Sequence, residues 1–313
     1  MNPTETRARS EAAWPALPLH GWEDTYATLH RWSQIVGKTR LALSPMENHY
    51  WHVALYTTAR GLTTSAMPHR GRVVQVDFDF IDHELVARTS DPEVRTLALA
   101  PKSVADFYRE SLDLLHSLDL EVRIRPMPNE IPDAVPFPED RAHASYDGNA
   151  VRDCWRVLTQ ADRVVNQFRS RFIGKQSPAH LWWGAFDFAC TRFSGRPAPQ
   201  HPGGIPNLPD RVTRESYSHE CCSAGWWPGT KGSPVEEPAF YSYAYPEPAG
   251  FSDASVGPAG ARYDTTLREW VLPYETVRRA PDPDAALLEF LQSAYENAAR
   301  LGKWDRAALE RPL

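Results

Sequence analysis

Apolar residues recur at helical spacing along four stretches of the chain. Leu29, Trp32, Ile35 and Val36 mark the first, one face of a 3.6-residue period. Val104, Phe107, Leu112 and Leu115 mark the second, with Ser103 placed to accept a hydrogen bond from the open amides of the first turn. Val151, Cys154, Leu158, Ala161, Val165, Phe168 and Phe172 carry the third. Leu287, Leu288, Leu291 and Tyr295 carry the fourth, with Asp282 or Asp284 as its cap. Between them lie extended runs: WHVALYTTARGLTTS, VVQVDFDFID, HELVART and LEVRIRP in the first half, then WGAFDFACTRFSG, SHECCSAGWW and AFYSYAYPEP in the second. Strands bounded by helices, rather than alternating with them, predict an α+β fold with antiparallel pairing.

Each half thus reads as helix, antiparallel strands, helix. Val36-Gly37-Lys38, Ser44-Pro45, Trp51 and Arg60 find a second set in Ile173-Gly174-Lys175, Ser177-Pro178, Trp183 and Arg192. A pseudo-duplication is the expectation, with coincidence among short strings as its competitor. It divides the chain into a unit at 14–126, a Pro-rich connector at 127–148 and a second unit at 149–306. The two units would form one extended sheet or two packed sheets with flanking helices, and a cleft between them. The Gly-Lys pairs lack the glycine pattern of a phosphate-binding loop and are expected to mark helix ends.

Several strings resemble a bacterial family when taken together: WPALPL, GLTTS, SVADFY, SPAHLWWGAFDFACTRFSGR, SHECCSAGWWPG and FLQSAYENAA. The chain is similar to a domain-of-unknown-function family, number 5996, from about Trp14 to Arg306. The resemblance implies a single-family protein without added modules and no particular reaction.

Composition narrows the classes. The 313 residues carry 34 Lys+Arg against 40 Asp+Glu, a net charge of −6, which disfavours nucleic acid as a partner. No apolar run reaches the length of a membrane span. The N-terminus MNPTETRARSEAAW lacks the apolar stretch of a secretory signal, and four cysteines form no disulfide pattern. A cytoplasmic location is the expectation. With 11 Trp, 12 Tyr, 12 Phe and 28 Pro, the chain is equipped with rigid aromatic surface and ordered loops, suited to a small-molecule pocket.

The candidate chemistry gathers in the second half. Along WGAFDFACTRFSG, Trp183, Asp187 and Thr191 fall on one face and Arg192 on the other. A carboxylate in an apolar strand is either paired or used, so Asp187 is a candidate acid/base group. Arg192 and Arg196 are candidates to grip an anionic substrate, with Arg60 as the matching first-half residue. His219 is the candidate proton shuttle, oriented by Glu220 or Asp187. His219 and Cys221, at i and i+2, with His180 or His52 as a third ligand, suggest a divalent-metal site as an alternative, although no established metal spacing is present. Tyr241 and Tyr243, with Trp183 and Trp226, are expected to line the pocket, or to form an aromatic ladder across strands. Vicinal Cys221 and Cys222 make no CxxC redox motif, and Asp77 and Asp79 read as solvated. The expected function is an acid/base enzyme acting on a polar or anionic small molecule; a non-catalytic binding or sensing protein is the alternative.

Overall fold

A computed structural model describes residues 13–311; the N-terminal residues on which the absence of a leader was argued lie mostly outside that range. Helix α1 (Glu23–Leu43) buries Leu29, Trp32, Ile35 and Val36 as its period requires. Helix α2 (Val104–His116) starts at Ser103, whose hydroxyl accepts from the Asp106 amide. Helix α3 (Gly148–Arg169) turns Val151, Cys154, Leu158, Ala161, Val165 and Phe168 inward. After the short α4 (Asp210–Ser216) and α5 (Tyr274–Arg278), helix α6 (Pro283–Leu301) is capped by Asp282 and buries Leu287, Leu291 and Tyr295. A last turn, α7, covers Arg306–Leu309.

Two antiparallel sheets accompany these helices. The first contains β1 (Tyr56–Thr57), β2 (Gly61–Thr63), β3 (Met67–His69), β4 (Arg72–Asp79), β5 (Glu84–Thr89) and β6 (Val94–Ala98), ordered β1-β2-β4-β5-β6 with β3 added to β4. The second contains β7 (His180–Trp182), β8 (Asp187–Pro197), β9 (His219–Trp227), β10 (Ala239–Tyr245), β11 (Arg262–Asp264) and β12 (Glu269–Pro273), ordered β7-β8-β9-β10-β12-β11. The sheets meet where Leu55 and Leu181 exchange both backbone hydrogen bonds, at 3.0 and 2.8 Å. The main apolar core runs through this seam and includes Trp14, Trp32, Phe107, Phe188, Trp226 and Tyr295.

The α+β class is therefore observed, as two antiparallel sheets linked by the Leu55–Leu181 bridge. The repeated strings do not occupy matching places. Gly37-Lys38 lies inside α1, whereas Gly174-Lys175 follows the end of α3; Trp51 sits in a 3-10 turn, whereas Trp183 directly follows β7. These strings therefore do not establish a duplication. LEVRIRP forms no strand among the described residues. Asp77 and Asp79 are not simply solvated: Arg88 pairs with Asp77 at 2.7 Å, and Arg60 forks onto Asp79 and reaches Asp82.

Gly37 shows how tightly the halves lock. It faces Trp183, whose indole donates to the Val53 carbonyl at 2.7 Å, and a β-carbon at 37 would overlap that ring. Alanine normally stabilises a helix interior by about 1 kcal/mol over glycine. Here Gly37→Ala is expected instead to destabilise by about 1–3 kcal/mol through overpacking, read from the denaturant midpoint; a stabilised variant would show that the indole is free to yield.

Candidate functional site

One face of the second sheet is the floor of a cavity of about 630 Å³. Alternation along four strands brings Asp187 and Thr191 from β8, Cys221 and Trp227 from β9, Tyr241 and Tyr243 from β10, and Glu269 and Val271 from β12 onto that face. Registration then fixes the rows. Ala189 pairs with Gly225 and Gly225 with Tyr241, while Ser223 pairs with Tyr243. A β-carbon at Gly225 would overlap the Phe188 carbonyl and press on the Tyr241 hydroxyl. With Gly225 and Ala189 small, the Tyr241 ring lies across β9 and its hydroxyl donates to Asp187 two strands away. Tyr243 shares a 2.7 Å hydrogen bond with Tyr217, and the Tyr241 and Tyr243 rings stack 6.1 Å apart.

The opposite wall comes from α1 and two loops. His30, Gln34 and Lys38 form an i, i+4, i+8 stripe on the buried face of α1. His30 donates through Nε2 to the Gly184 carbonyl at 2.8 Å. The Gln34 amide donates to the Asn129 carbonyl at 2.9 Å and accepts from the Asn129 amide at 2.7 Å. Lys38 Nζ donates to Asn129 Oδ1 and lies 5.4 Å from the Trp183 ring centre. The stripe thereby pins the loop that carries Glu130, a residue in the left-handed region at φ 59°, a conformation that costs a non-glycine residue free energy and that concentrates at functional sites. The roof is the segment joining β8 to β9, which includes α4. It is tied down where the Glu130 amide donates to the Pro206 carbonyl at 2.9 Å and where Asn129 Nδ2 donates to the Asn207 carbonyl at 2.8 Å.

Three carboxyl groups face this space. Burial raises Asp187 to about 6 although the Tyr241 hydroxyl opposes the shift. Burial and then the charge of Asp187 raise Glu130 to about 7. Burial, Asp187 and Asp264 raise Glu269 to about 8. Each is half-buried and lines the cavity. Burial, followed by the nearby Arg125 charge, lowers Lys38 to about 8. At the mouth, His49 donates through Nδ1 to the carbonyls of Glu215 and Ser216, both at 3.1 Å, leaving Nε2 to accept from Lys175 at 2.6 Å.

Of the residues singled out in the sequence, Asp187, Trp183, Tyr241, Tyr243 and Cys221 line the cavity; His219, Glu220, Arg192, Arg196, Arg60, Trp226 and His180 do not. Asp187 opens its strand rather than sitting mid-strand. Arg192 points to the other face, buried between the rings of Phe168, Tyr295 and Phe172, 3.4, 4.2 and 5.0 Å from their centres, and donates to the Phe168 carbonyl. Arg196 pairs with Glu220 at 2.6 Å and binds the carbonyls of Gly302 and Lys303, holding the end of α6. The paired anion grip expected of Arg192 and Arg196 is thus absent from the cavity. Trp226 belongs to the core on the helix side of the sheet. His219 contacts Ser218 at 3.1 Å and His49 edge-on, away from Glu220, which engages Ser194 and Arg196.

The metal expectation fits poorly. His180 is buried between Tyr56 and Trp182, two strands from Cys221. His52 Nδ1 accepts from the Glu47 amide. Among the described residues no group of three or more His, Cys, Asp or Glu side chains is placed to hold a metal ion. Burial pushes the Cys221 thiol far above its usual value, so it is no thiolate nucleophile near neutral pH.

Lys38, Glu130, Glu269, Arg125 and Arg211 also line the cavity and escaped the sequence reading. The signal for Lys38 was the polar stripe on an otherwise apolar helix face. For Glu130 it was an acid between Pro128 and Pro132 in an ordered connector, and for Glu269 an acid preceding the buried run Trp270–Leu272.

The fold is that of an α+β protein with an aromatic-walled cavity on one face of its second sheet. Residues 14–311 match the Family of unknown function (DUF5996), and the chain belongs to that family. No curated protein and no solved structure matches it. No described helix is long and apolar enough to cross a membrane.

The raised carboxyls give stability a pH dependence of known sign. A group whose folded pKa exceeds its unfolded value favours folding most below the unfolded value, and that advantage is lost as pH rises through the folded value. For Glu269 the window runs from 4.5 to about 8. Across it, Glu269→Gln should gain in melting temperature relative to the native chain as pH rises; parallel curves would contradict the assignment.

Proposed function

We propose that the protein is an enzyme that encloses a small organic molecule and acts on it by general acid–base catalysis. The observation that carries this reading is the gathering of Glu130, Asp187 and Glu269 on one cavity, with burial moving all three toward neutrality. General acids and bases work best when their pKa lies near the working pH, and environments that spread related groups apart set their roles. Asp187, lowest of the three and stabilised as an anion by Tyr241, is the base that removes a substrate proton. Glu269 and Glu130, which hold protons to higher pH, deliver one back.

Trp51, Trp182, Trp183 and Trp227 supply flat apolar walls for the body of the ligand. The roof over the sheet narrows the access of water to the transferred proton. Among the described residues the metal-dependent alternative has no matching ligand set, and the proton-shuttle role expected of His219 passes to the carboxyls. The alternative of a binding or sensing protein uses the same cavity without turnover.

Incubation of the purified protein with a mixed extract of small polar metabolites, followed by mass spectrometry, separates the two readings. The enzyme reading expects at least one compound to be consumed, at a rate about 10²–10⁴-fold lower for Asp187→Asn, with Tyr241→Phe intermediate and both variants folded. A compound that raises the melting temperature by mass action yet is recovered unaltered by the native chain would favour binding alone, and turnover unchanged by Asp187→Asn would overturn the assignment of the base.

A further inference from the structure

Besides His49, six acidic or strongly basic side chains line the cavity, three acids (Glu130, Asp187, Glu269) and three cations (Lys38, Arg125, Arg211). None of them pairs with another. Among the described residues Lys38, Arg125 and Arg211 have no carboxylate partner within salt-bridge distance, while Arg31, Arg60, Arg88, Arg163 and Arg196, all elsewhere, do. Among the described residues the acids are equally unclaimed by cations: the only side chain that donates to Asp187 is Tyr241, and the carboxylates of Glu130 and Glu269 take no side-chain hydrogen bond. Lys38 is buried and Arg125 and Arg211 are exposed, and opposite charges on one lining attract the more strongly the less water lies between them.

The framework does separate them. Asp187 and Glu269 project from the sheet floor. Lys38 is fixed on α1 by Asn129 and Trp183, Arg125 precedes the connector, and Arg211 rides on the α4 roof. The apolar walls of Trp183 and Trp227 lie on the same cavity. Such a bipolar lining is complementary to a ligand that is itself bipolar in function: an anionic end for the three cations, an apolar body, and a proton-exchanging group presented to the acids.

We infer that the substrate is an organic carboxylic acid with an apolar or aromatic body, its carboxylate held by Lys38, Arg125 and Arg211. This rests on the acid–base reading for the far end of the ligand, but the anion subsite stands on the unpaired cations alone. A single negative charge suits the cavity better than a phosphate dianion, because the Asp187 carboxylate on the same lining repels the extra charge. A guanidinium fork such as that of Arg125 matches the two oxygens of a carboxylate.

The test uses ligand pairs that differ only at the charged end: 3-phenylpropionate and indole-3-acetate against their primary amides, phenyl phosphate and 3-phenylpropylammonium, each titrated on the whole protein by calorimetry or thermal shift. The acids are expected to bind about tenfold or more tighter than their amides. That preference should weaken with added salt and fall to near parity in Lys38→Met. Arg125→Gln and Arg211→Gln change exposed residues, and so test the same claim should Lys38→Met fail to fold. Asp187→Asn should keep the acid-over-amide preference, which separates failure of the catalytic reading from failure of this one. Equal binding of acid and amide, absence of binding by every acid, tighter binding of the ammonium or phosphate ester, or a preference that survives all three cation substitutions would each overturn the inference.

Discussion

The structure depends most on the separation of like and unlike charge around one cavity. Charges of opposite sign were available to neutralise one another, and none do so across the cavity. Desolvation and the charge of Asp187 therefore push Glu130 and Glu269 up toward neutrality and beyond, while Asp187, held as an anion by Tyr241, rises least. This is a costly arrangement for stability, and it is the condition that acid–base chemistry requires.

Separation is achieved by parts that are far apart in sequence. The sheet presents alternate residues of β8, β9, β10 and β12 to the cavity, while their neighbours Arg192, Trp226 and Phe240 are buried against the helices on the other side. The narrow row of Ala189 and Gly225 lets Tyr241 reach Asp187. Helix α1 crosses the opposite wall with a polar stripe that would be unsatisfied without Asn129 and Gly184. The connector is thereby more than a link between halves, because Gln34 and Pro206 hold the backbone of Asn129 and Glu130 and it delivers the Glu130 carboxyl. The Leu55–Leu181 exchange joins the sheets beside the same wall. The site and the seam are thus stabilised by the same contacts.

Much of this architecture was legible in the sequence because periodicity reports burial directly. The faces of α1, α2, α3 and α6 follow from apolar spacing, and Ser103 and Asp282 cap where their chemistry suggests. Asp187, Tyr241 and Tyr243 were visible as polar groups alternating within apolar strands. Arg192 was misjudged because its type suggests ligand binding, whereas an aromatic cage and a carbonyl hold it in the core. Arg196 and Glu220 looked like site residues yet satisfy each other and a helix end. Glu130, Glu269 and Lys38 stayed hidden because each is ordinary in its local setting. Only register and the crossing of α1 over the sheet bring them together, and a linear pattern carries neither.

The most direct measurement is a carbon-13 NMR titration of the side-chain carboxyl groups in the unliganded protein, assigned through Glu130→Gln, Asp187→Asn and Glu269→Gln. The account predicts that the Glu269 and Glu130 signals titrate near pH 8 and 7 and the Asp187 signal near 6, with the two glutamates shifting down when Asp187 is neutralised. Ionisation of all three in the ordinary range of exposed carboxylates, below about pH 5, would contradict it.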